Sequence, residues 1–263
     1  MSRRSSFFVH GVRGPAVQIR RRGFTLVELL IVLGIITLLV ALVWPHIQSH
    51  RCVGHSRTHC RNNLKQITLA LHNYCDDYGG FPPAYTVDAD GKPLHSWRTL
   101  ILPYLDQREL YEKIDLSKPW DDPANAQAAA TVVPTFVCPA SYSESEPNRS
   151  EYLAVVTPES CIRPTEMRPL SEITDGLPNT LMVIEVPLKN AVPWMSPLDA
   201  DLQLVWKSNL DDDRQHACGF PAGFADGSVQ FLSPDMPAEE LRSLISAAGG
   251  DHSDPDDETD GSR

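Results

Sequence analysis

The sequence predicts an α+β fold in which one long amino-terminal helix packs on a small antiparallel β-sheet domain with short helices. The helix is predicted because an apolar run at 24–44 is followed by apolar residues at three- and four-residue spacing up to Tyr78. The sheet is predicted because strand signals take over after residue 135. Most of the 22 prolines lie beyond residue 80, which argues against a helical bundle.

The apolar run is long enough to cross a membrane. As a helix it would extend about 31 Å, against a hydrocarbon core of roughly 30 Å. Residues 1–23 hold six arginines and no acidic residue, which is typical of a leader that stays on the cytoplasmic side. The rest of the chain keeps 17 of the 23 basic residues against 34 acidic ones. Such a chain is a poor candidate for binding nucleic acid, because that affinity comes from neutralised phosphates.

Glu28 is the single ionisable residue within the apolar run. A carboxylate in lipid is costly unless it is paired, so it usually marks a function. A cut between Gly23 and Phe24 would create an α-amine beside the run, and Glu28 of a neighbouring subunit could pair with it. The alternatives are a plain uncleaved anchor and a secretory signal peptide. The second is disfavoured, because the run is too long and no A-x-A site follows it.

The stretch RRGFTLVELLIVLGII resembles the cleavage and methylation motif of type IV prepilins and type II secretion pseudopilins. The resemblance covers the basic residues, Gly23, Phe24, Glu28 and the unbroken apolar run. It implies that prepilin peptidase, a membrane aspartyl peptidase, cuts after Gly23 and methylates the new amine of Phe24. Pro45 matches a helix-kink position of many pilins, and the long helix on a globular part matches their ladle shape.

A second resemblance covers about residues 24–250. The chain contains, in order, CRNNLKQITLALHNYCDDYGGFPPA, SWRTLILPYL, FVCPA, DGLPNTLMVIE and an H-x9-D-G motif formed by His216, Asp226 and Gly227. This ordered set resembles the bacterial family of domain of unknown function 1559. The stretch ACGFPAGF and Pro178 depart from the family pattern, which leaves the local strand geometry open. The family has no established reaction, so the resemblance implies architecture rather than chemistry.

The long helix is expected to end before Gly79-Gly80 and the prolines that follow, which are helix-stopping signals. The carboxyl-terminal tail holds six acids and is expected to be disordered. The predicted parts are a basic leader at 1–23, the transmembrane half of the helix at 24–44, its periplasmic half at 45–78, a globular α+β domain at 79–250 and the acidic tail at 251–263.

Capping and turn signals divide the globular part. Ser96 is a predicted N-cap for a short helix that ends near Pro103, and Asp122 followed by Pro123 begins a turn. Asp226-Gly227 is a predicted tight turn between two strands. The other predicted elements are helices at 106–114 and 237–247 and strands at 135–138, 151–156, 180–186, 202–206, 222–225 and 228–232.

The chain has six cysteines and no CxxC pair. On the predicted helix, Cys52 and Cys60 would lie about 12 Å apart along the axis, whereas a disulfide needs Cα atoms within about 7 Å. The helix cysteines therefore pair with one of the cysteines outside the helix, with another subunit, or with none. We expect Cys60 to pair with Cys138. The six are Cys52, Cys60, Cys75, Cys138, Cys161 and Cys218.

Two groups could bind metal ions. Cys52, His55 and His59 fall on one helix face, where they could ligate zinc or copper if a neighbouring subunit completed the site. A polar helix face in a fibre is the preferred interpretation. The sequence DADG at 88–91 forms half of a calcium loop without the closing glutamate, so a solvated turn is preferred. Binding of one calcium ion by the globular part is left as an alternative, because the resemblance is to proteins that often hold calcium there.

No residue is assigned a catalytic role. A turn explains Asp226-Gly227 better than a calcium or substrate site does, and His216 is expected to hydrogen-bond to the hairpin rather than to act as a base. The sequence has no G-x-S-x-G, HExxH, P-loop or dinucleotide fingerprint. We therefore expect neither an enzyme nor a cofactor.

We expect a pseudopilin-like structural subunit in the inner membrane, with one pass, a cytoplasmic amino terminus and a globular domain in the periplasm or outside the cell. Its expected partners are prepilin peptidase, the membrane and other pilin-like subunits of a type II secretion or type IV pilus-like fibre, with Glu28 and Pro45 serving assembly. The alternative is an anchored envelope protein whose globular domain binds a ligand such as a glycan, with the motif used for export alone. An envelope hydrolase is less favoured.

Overall fold

The computed structural model describes residues 26–27, 29–37, 55–139, 148–210, 219–233 and 235–249. The chain divides into two compact units, Met1–Ser49 and His50–Arg263. The second unit contains both helices and an antiparallel sheet, so the α+β prediction is confirmed. The predictions for the basic leader, for Pro45 and for the acidic tail concern residues outside the described ranges.

The elements are named here in chain order. Helix α1 comprises residues 26–27 and 29–37 of the first unit. The α-helices of the second unit are α2 (His55–Tyr78), α3 (Trp97–Leu100), α4 (Arg108–Tyr111), α5 (Ala126–Ala129), α6 (Leu202–Leu210) and α7 (Ala238–Ile245). Its strands are β1 (Tyr85–Val87), β2 (Pro93–Ser96), β3 (Arg149–Ser150), β4 (Tyr152–Ala154), β5 (Leu181–Glu185), β6 (Val192–Pro193), β7 (Phe220–Phe224) and β8 (Val229–Leu232). Its 3-10 helices are Leu102–Tyr104, Pro123–Asn125, Pro134–Phe136, Leu170–Glu172, Leu177–Asn179 and Leu188–Asn190.

Helix α2 buries one stripe of its surface. Leu64, Ile67 and Leu71 recur at three- and four-residue spacing and are fully buried. The helix ends at Tyr78 because Gly79 has φ of +84°, a conformation that favours glycine. The N–H of Gly79 donates to the Cys75 carbonyl at 2.8 Å, which satisfies one of the last carbonyl groups of the helix.

The main sheet has the strand order β4-β5-β7-β8, with all neighbours antiparallel. Its two faces serve different cores, because successive side chains of a strand point to opposite faces. In β4, Tyr152 and Ala154 join the core that contains the α2 stripe, whereas Leu153 joins a core with residues of α6 and α7. The second unit is therefore layered as α2 with short helices, then sheet, then α6 and α7.

Helix α2 approaches the sheet most closely at Gly223 of β7. A Cβ added to Gly223 would lie 2.6 Å from Cγ2 of Thr68 on α2 and 3.7 Å from Cδ2 of Leu64. Pro221, in the same strand, pairs with Phe231 of β8 and lies beyond the last β7 residue that pairs with β5. Residues 220–224 of the stretch that departs from the family pattern thus form a strand, whose proline stands where pairing on one side has ended.

The strand predicted at 202–206 is wrong, because these residues begin helix α6. The alternating apolar pattern of LQLVW fits a strand as well as one helical turn. Asp201 decides between them: its Oδ1 accepts from the N–H of Leu204 at 2.7 Å, and its carbonyl accepts from Val205 at 3.0 Å. This is N-cap geometry, and the aspartate before the apolar run was the available signal.

The strand predicted at 135–138 is also wrong, since Pro134–Phe136 forms a 3-10 helix. Pro134 stands at its first position, where a missing N–H costs nothing. Ser96 precedes α3 as predicted but does not cap it, because its Oγ donates to the Trp194 carbonyl at 3.0 Å. The predicted cap at Asp122 is confirmed, with Oδ1 accepting from the Ala124 N–H at 2.9 Å.

Candidate functional site

Helix α1 carries the described part of the apolar run. Its leucine, isoleucine and valine side chains are between 44% and 76% exposed. The Thr37 hydroxyl donates to the carbonyls of Leu33 at 3.0 Å and Gly34 at 2.9 Å, so this polar group is satisfied within the helix. Among the helices that the structure describes, none is long and apolar enough to span a membrane.

Several predicted site residues lie outside the described residues, namely Gly23, Phe24, Glu28, Pro45, Cys52 and His216. His55 begins α2, but its side chain lies outside the described part as well, whereas His59 is exposed in the first turns of the helix. The candidate metal-binding site formed by Cys52, His55 and His59 therefore stays a prediction.

Asp226 and Gly227 form the turn between β7 and β8. Oδ1 of Asp226 accepts from the Ser228 N–H at 2.8 Å, and Gly227 has φ of +80°. Thr68 Oγ1 on α2 donates to the Gly227 carbonyl at 3.3 Å, and a Cβ added at Gly227 would lie 3.5 Å from the ring of His72. The motif thus shapes the hairpin and holds its tip against α2.

The DADG segment forms the turn between β1 and β2. Asp88 Oδ1 accepts from the N–H groups of Asp90 at 3.0 Å and Lys92 at 2.8 Å. Gly91 has φ of +79°, and its N–H donates to the Asp88 carbonyl at 3.0 Å. One carboxylate oxygen of this turn is thus used by its own backbone, as in an Asx-turn. Calcium at this turn stays a prediction.

Cys60 and Cys138 form a disulfide, the pairing expected from the sequence. Their sulfur atoms are 2.16 Å apart, their Cα atoms 5.3 Å apart, and they are 78 residues apart in the chain. The bond joins the start of α2 to the segment after the Pro134–Phe136 3-10 helix. Cys75 and Cys161 are buried free thiols, and burial raises the pKa of both, so they are held as neutral thiols.

Two buried carboxylate side chains lie close to the disulfide. Glu151 Oε2 accepts from the Cys138 N–H at 2.7 Å, and a Glu185 oxygen lies within 4.8 Å of both sulfur atoms. Burial, and then the charge of Glu185, raise the pKa of Tyr152, whose hydroxyl donates to the Cys60 carbonyl at 3.4 Å. Thiolates bind metals whereas disulfide sulfurs do not, so this group is not a metal site while the bond is intact.

A buried ion pair that no sequence pattern indicated joins Arg98 of the SWRTL motif to Asp199. Arg98 is fully buried and lies 2.7 Å from Oδ1 of Asp199. The same oxygen accepts from the Trp97 indole at 3.0 Å and from the Ala154 N–H at 2.9 Å. Arg98 also donates to the carbonyl groups of Tyr152, Trp194, Ser196 and Leu198. The pair joins α3, β4 and the 194–199 loop, and its role is structural.

Two family models match the chain. Residues 57–164 match the family described as protein of unknown function (DUF1559), and residues 19–44 match the prokaryotic N-terminal methylation motif. Both are families that the sequence resembles, so the recognition from the quoted motifs is confirmed. The second match indicates a prepilin-like protein that prepilin peptidase processes. No curated protein and no solved structure matches the chain.

Proposed function

We propose that this chain, a DUF1559 protein that carries the prepilin-type methylation motif, is a pseudopilin-like structural subunit without enzymatic activity. The observation that carries the proposal is the motif, in which Gly23, Phe24 and Glu28 stand between basic residues and an apolar run. After processing, the subunit joins other pilin-like subunits in a type II secretion or type IV pilus-like fibre.

The exposed side chains of α1 support this assignment. A surface of exposed leucine, isoleucine and valine has to be covered, and a lipid bilayer or neighbouring apolar helices would cover it. In the proposed cycle, lipid covers α1 before assembly and the helices of other subunits cover it afterwards. Glu28 is costly in lipid and is compensated in the fibre by the amine of a neighbouring subunit. Its carboxylate therefore favours assembly and defines the register.

The proposed location of the chain is the inner membrane, which it crosses once, with the globular unit on the side away from the cytoplasm. Six arginines in residues 1–23 support a cytoplasmic amino terminus. The Cys60–Cys138 disulfide supports an oxidising compartment for the second unit. The ladle shape of pilins, with a kink at Pro45, belongs to the same proposal.

Processing is tested by mass spectrometry of the intact chain and of its amino-terminal peptide, after extraction from membranes. The expected chain begins at Phe24 and is heavier by one methyl group. A chain that still carries residues 1–23 would contradict processing and would indicate a plain anchor.

Assembly is tested with Glu28→Ala. This variant should insert and be processed, but it should enter fibres poorly because the neighbouring amine loses its partner. Glu28→Asp is the matched control, since it shortens the same side chain yet keeps the carboxylate. Incorporation is measured by immunoblotting the fraction of subunit in sheared fibres. Equal incorporation of the two variants would refute the role of Glu28.

A second function, ligand binding by the globular unit, is favoured by one observation. A cleft lined with tyrosine side chains lies between the end of α2 and α4. Tyr74 belongs to the core, whereas Tyr78 in the same cleft is 58% exposed and offers its ring to a ligand.

A further inference from the structure

Four tyrosines line a cleft of about 510 Å³ at the end of α2. Tyr74 and Tyr78 come from the last turns of α2, Tyr104 from the 3-10 helix that follows α3, and Tyr111 from α4. The volume falls within the roughly 300–1,000 Å³ of small-molecule sites, which combine aromatic walls with a few polar groups.

Tyr74 is buried in the core, Tyr104 and Tyr111 pack against that core, and Tyr78 extends the group of rings to the surface as a platform. Tyr74 and Tyr78 stack with centroids 4.3 Å apart and planes at 27°, because residues four apart lie on one face of a helix. Tyr104 meets Tyr74 edge-on, at 6.4 Å and 82°. Tyr78 is 58% exposed although it continues the apolar stripe of α2. Its stack with Tyr74 orders the ring while more than half of it stays accessible.

Polar groups stand at the rim of the platform. The Tyr104 hydroxyl donates to Oδ2 of Asp77 at 2.5 Å, and Arg108 and Glu112 of the α4 region are the other charged residues of the lining. Burial and the Asp77 carboxylate raise the pKa of Tyr104, and burial also raises the pKa of Tyr74 and Tyr111. These three phenols therefore stay neutral at every physiological pH and act as hydrogen-bonding groups.

The charges of the cleft select the class of ligand. Asp77 and Glu112 place two carboxylates beside the single guanidinium of Arg108. The excess of negative charge disfavours phosphorylated and other anionic ligands, while the carboxylates and the guanidinium together supply acceptors and donors for hydroxyl groups. A ligand that suits the cleft is neutral, has an apolar face for the rings and has many hydroxyl groups for the carboxylates and the guanidinium.

We infer that the tyrosine cleft binds a neutral carbohydrate, with the C–H face of a sugar ring on Tyr78 and its hydroxyl groups at Asp77 and Arg108. C–H groups of sugars carry partial positive charge, which the negative face of an aromatic ring attracts. Carboxylates and guanidinium groups form charge-assisted hydrogen bonds with sugar hydroxyls. This function goes beyond the proposed fibre subunit and does not depend on assembly, since the cleft lies wholly in the second unit.

The test is affinity electrophoresis of the full-length protein in mild detergent, with gels that contain dextran, mannan, xylan, galactan or mixed-linkage β-glucan. At least one of these neutral polysaccharides is expected to retard the protein. Tyr78→Ala should weaken the retardation about tenfold, whereas Tyr78→Phe, which keeps the ring, should retain most of it. Leu69→Ala is the matched control, because Leu69 is a 60% exposed apolar residue of the same helix outside the cleft.

Four outcomes would overturn the inference. The first is that none of the five polysaccharides retards the protein. The second is equal retardation of Tyr78→Ala and Leu69→Ala. The third is retardation by alginate or by a quaternary ammonium polymer in place of the neutral polysaccharides. If Tyr78→Ala instead abolishes self-association in light scattering, the cleft is an interface between copies, and the carbohydrate assignment also fails.

Discussion

Gly223→Ala should destabilise the globular unit, because the new methyl group would be placed between β7 and α2. Its Cβ would lie 2.6 Å from Cγ2 of Thr68, closer than carbon atoms approach without a shift. Thr68 cannot rotate freely, since its Oγ1 donates to the carbonyls of Lys65 at 3.1 Å and Gly227 at 3.3 Å. Either the hydroxyl contact to the hairpin is lost or the helix moves away from the strand.

The expected magnitude combines three terms. Overpacking in a well-packed core costs about 1–3 kcal/mol. Loss of the hydrogen bond from Thr68 to the Gly227 carbonyl adds about 1 kcal/mol. Replacing glycine by alanine within a strand recovers about 0.5–1 kcal/mol of backbone entropy. The free energy of unfolding should therefore fall by about 2 kcal/mol, which lowers the melting temperature by about 4–8 °C for a chain of this size.

The assay is urea unfolding followed by far-UV circular dichroism. It compares four proteins, namely the wild type, Gly223→Ala, Thr68→Ser and the double variant. Thr68→Ser removes the methyl group that Gly223→Ala would strike and keeps the hydroxyl. The double variant should therefore regain most of the stability lost in Gly223→Ala, after the effect of Thr68→Ser alone is subtracted. Wild-type stability in Gly223→Ala, or a double variant with additive losses, would refute this account of the helix–strand contact.

Two further predictions concern other parts of the same unit. Replacing Cys60 and Cys138 together by alanine should lower the free energy of unfolding by about 4.5 kcal/mol, the value of the chain-entropy model for a loop of 78 residues. Cys75→Ala is the control, and an equal or smaller loss in the double variant would contradict the prediction. Burial lowers the pKa of His95 from 6.5, so the unfolded chain binds the proton more readily and stability should fall as the pH drops below about 6.5. The urea midpoint measured from about pH 7 to about pH 5 should depend less on pH in His95→Gln, and equal slopes would show that another group is responsible.

Local patterns predicted the elements whose signals lie close together in the chain. The stripe of Leu64, Ile67 and Leu71 identified α2, and the Asp226-Gly227 turn between two strand signals identified the last hairpin. Such signals extend over a few residues and reflect the geometry of one helix or one turn. The strand predicted at 202–206 was wrong because five residues fit both the helical and the strand period, and the signal that separates the two is the Asp201 cap before them.

Apart from the Cys60–Cys138 disulfide, the sites that join distant segments could not be predicted from these patterns. Arg98 and Asp199 are about a hundred residues apart in the chain, and nothing near either residue indicates the other. The tyrosine cleft is similar, since Tyr78 continues an apolar stripe in the sequence, and its exposure depends on where Tyr104 and Tyr111 come to lie. Helical periodicity describes which side of α2 a residue occupies, but it does not say where the neighbouring layer ends.

The Cys60–Cys138 disulfide has a mechanical consequence for a chain that is pulled from its ends. Tension would pass through the covalent bond and bypass the 78-residue segment it closes, so about 260–280 Å of contour length could not be extended. Most of α2 lies inside this segment and is shielded, whereas all four strands of the main sheet follow Cys138 and remain under load. Under force the sheet would yield first, while the part of α2 after Cys60 would stay within a closed loop that cannot be extended.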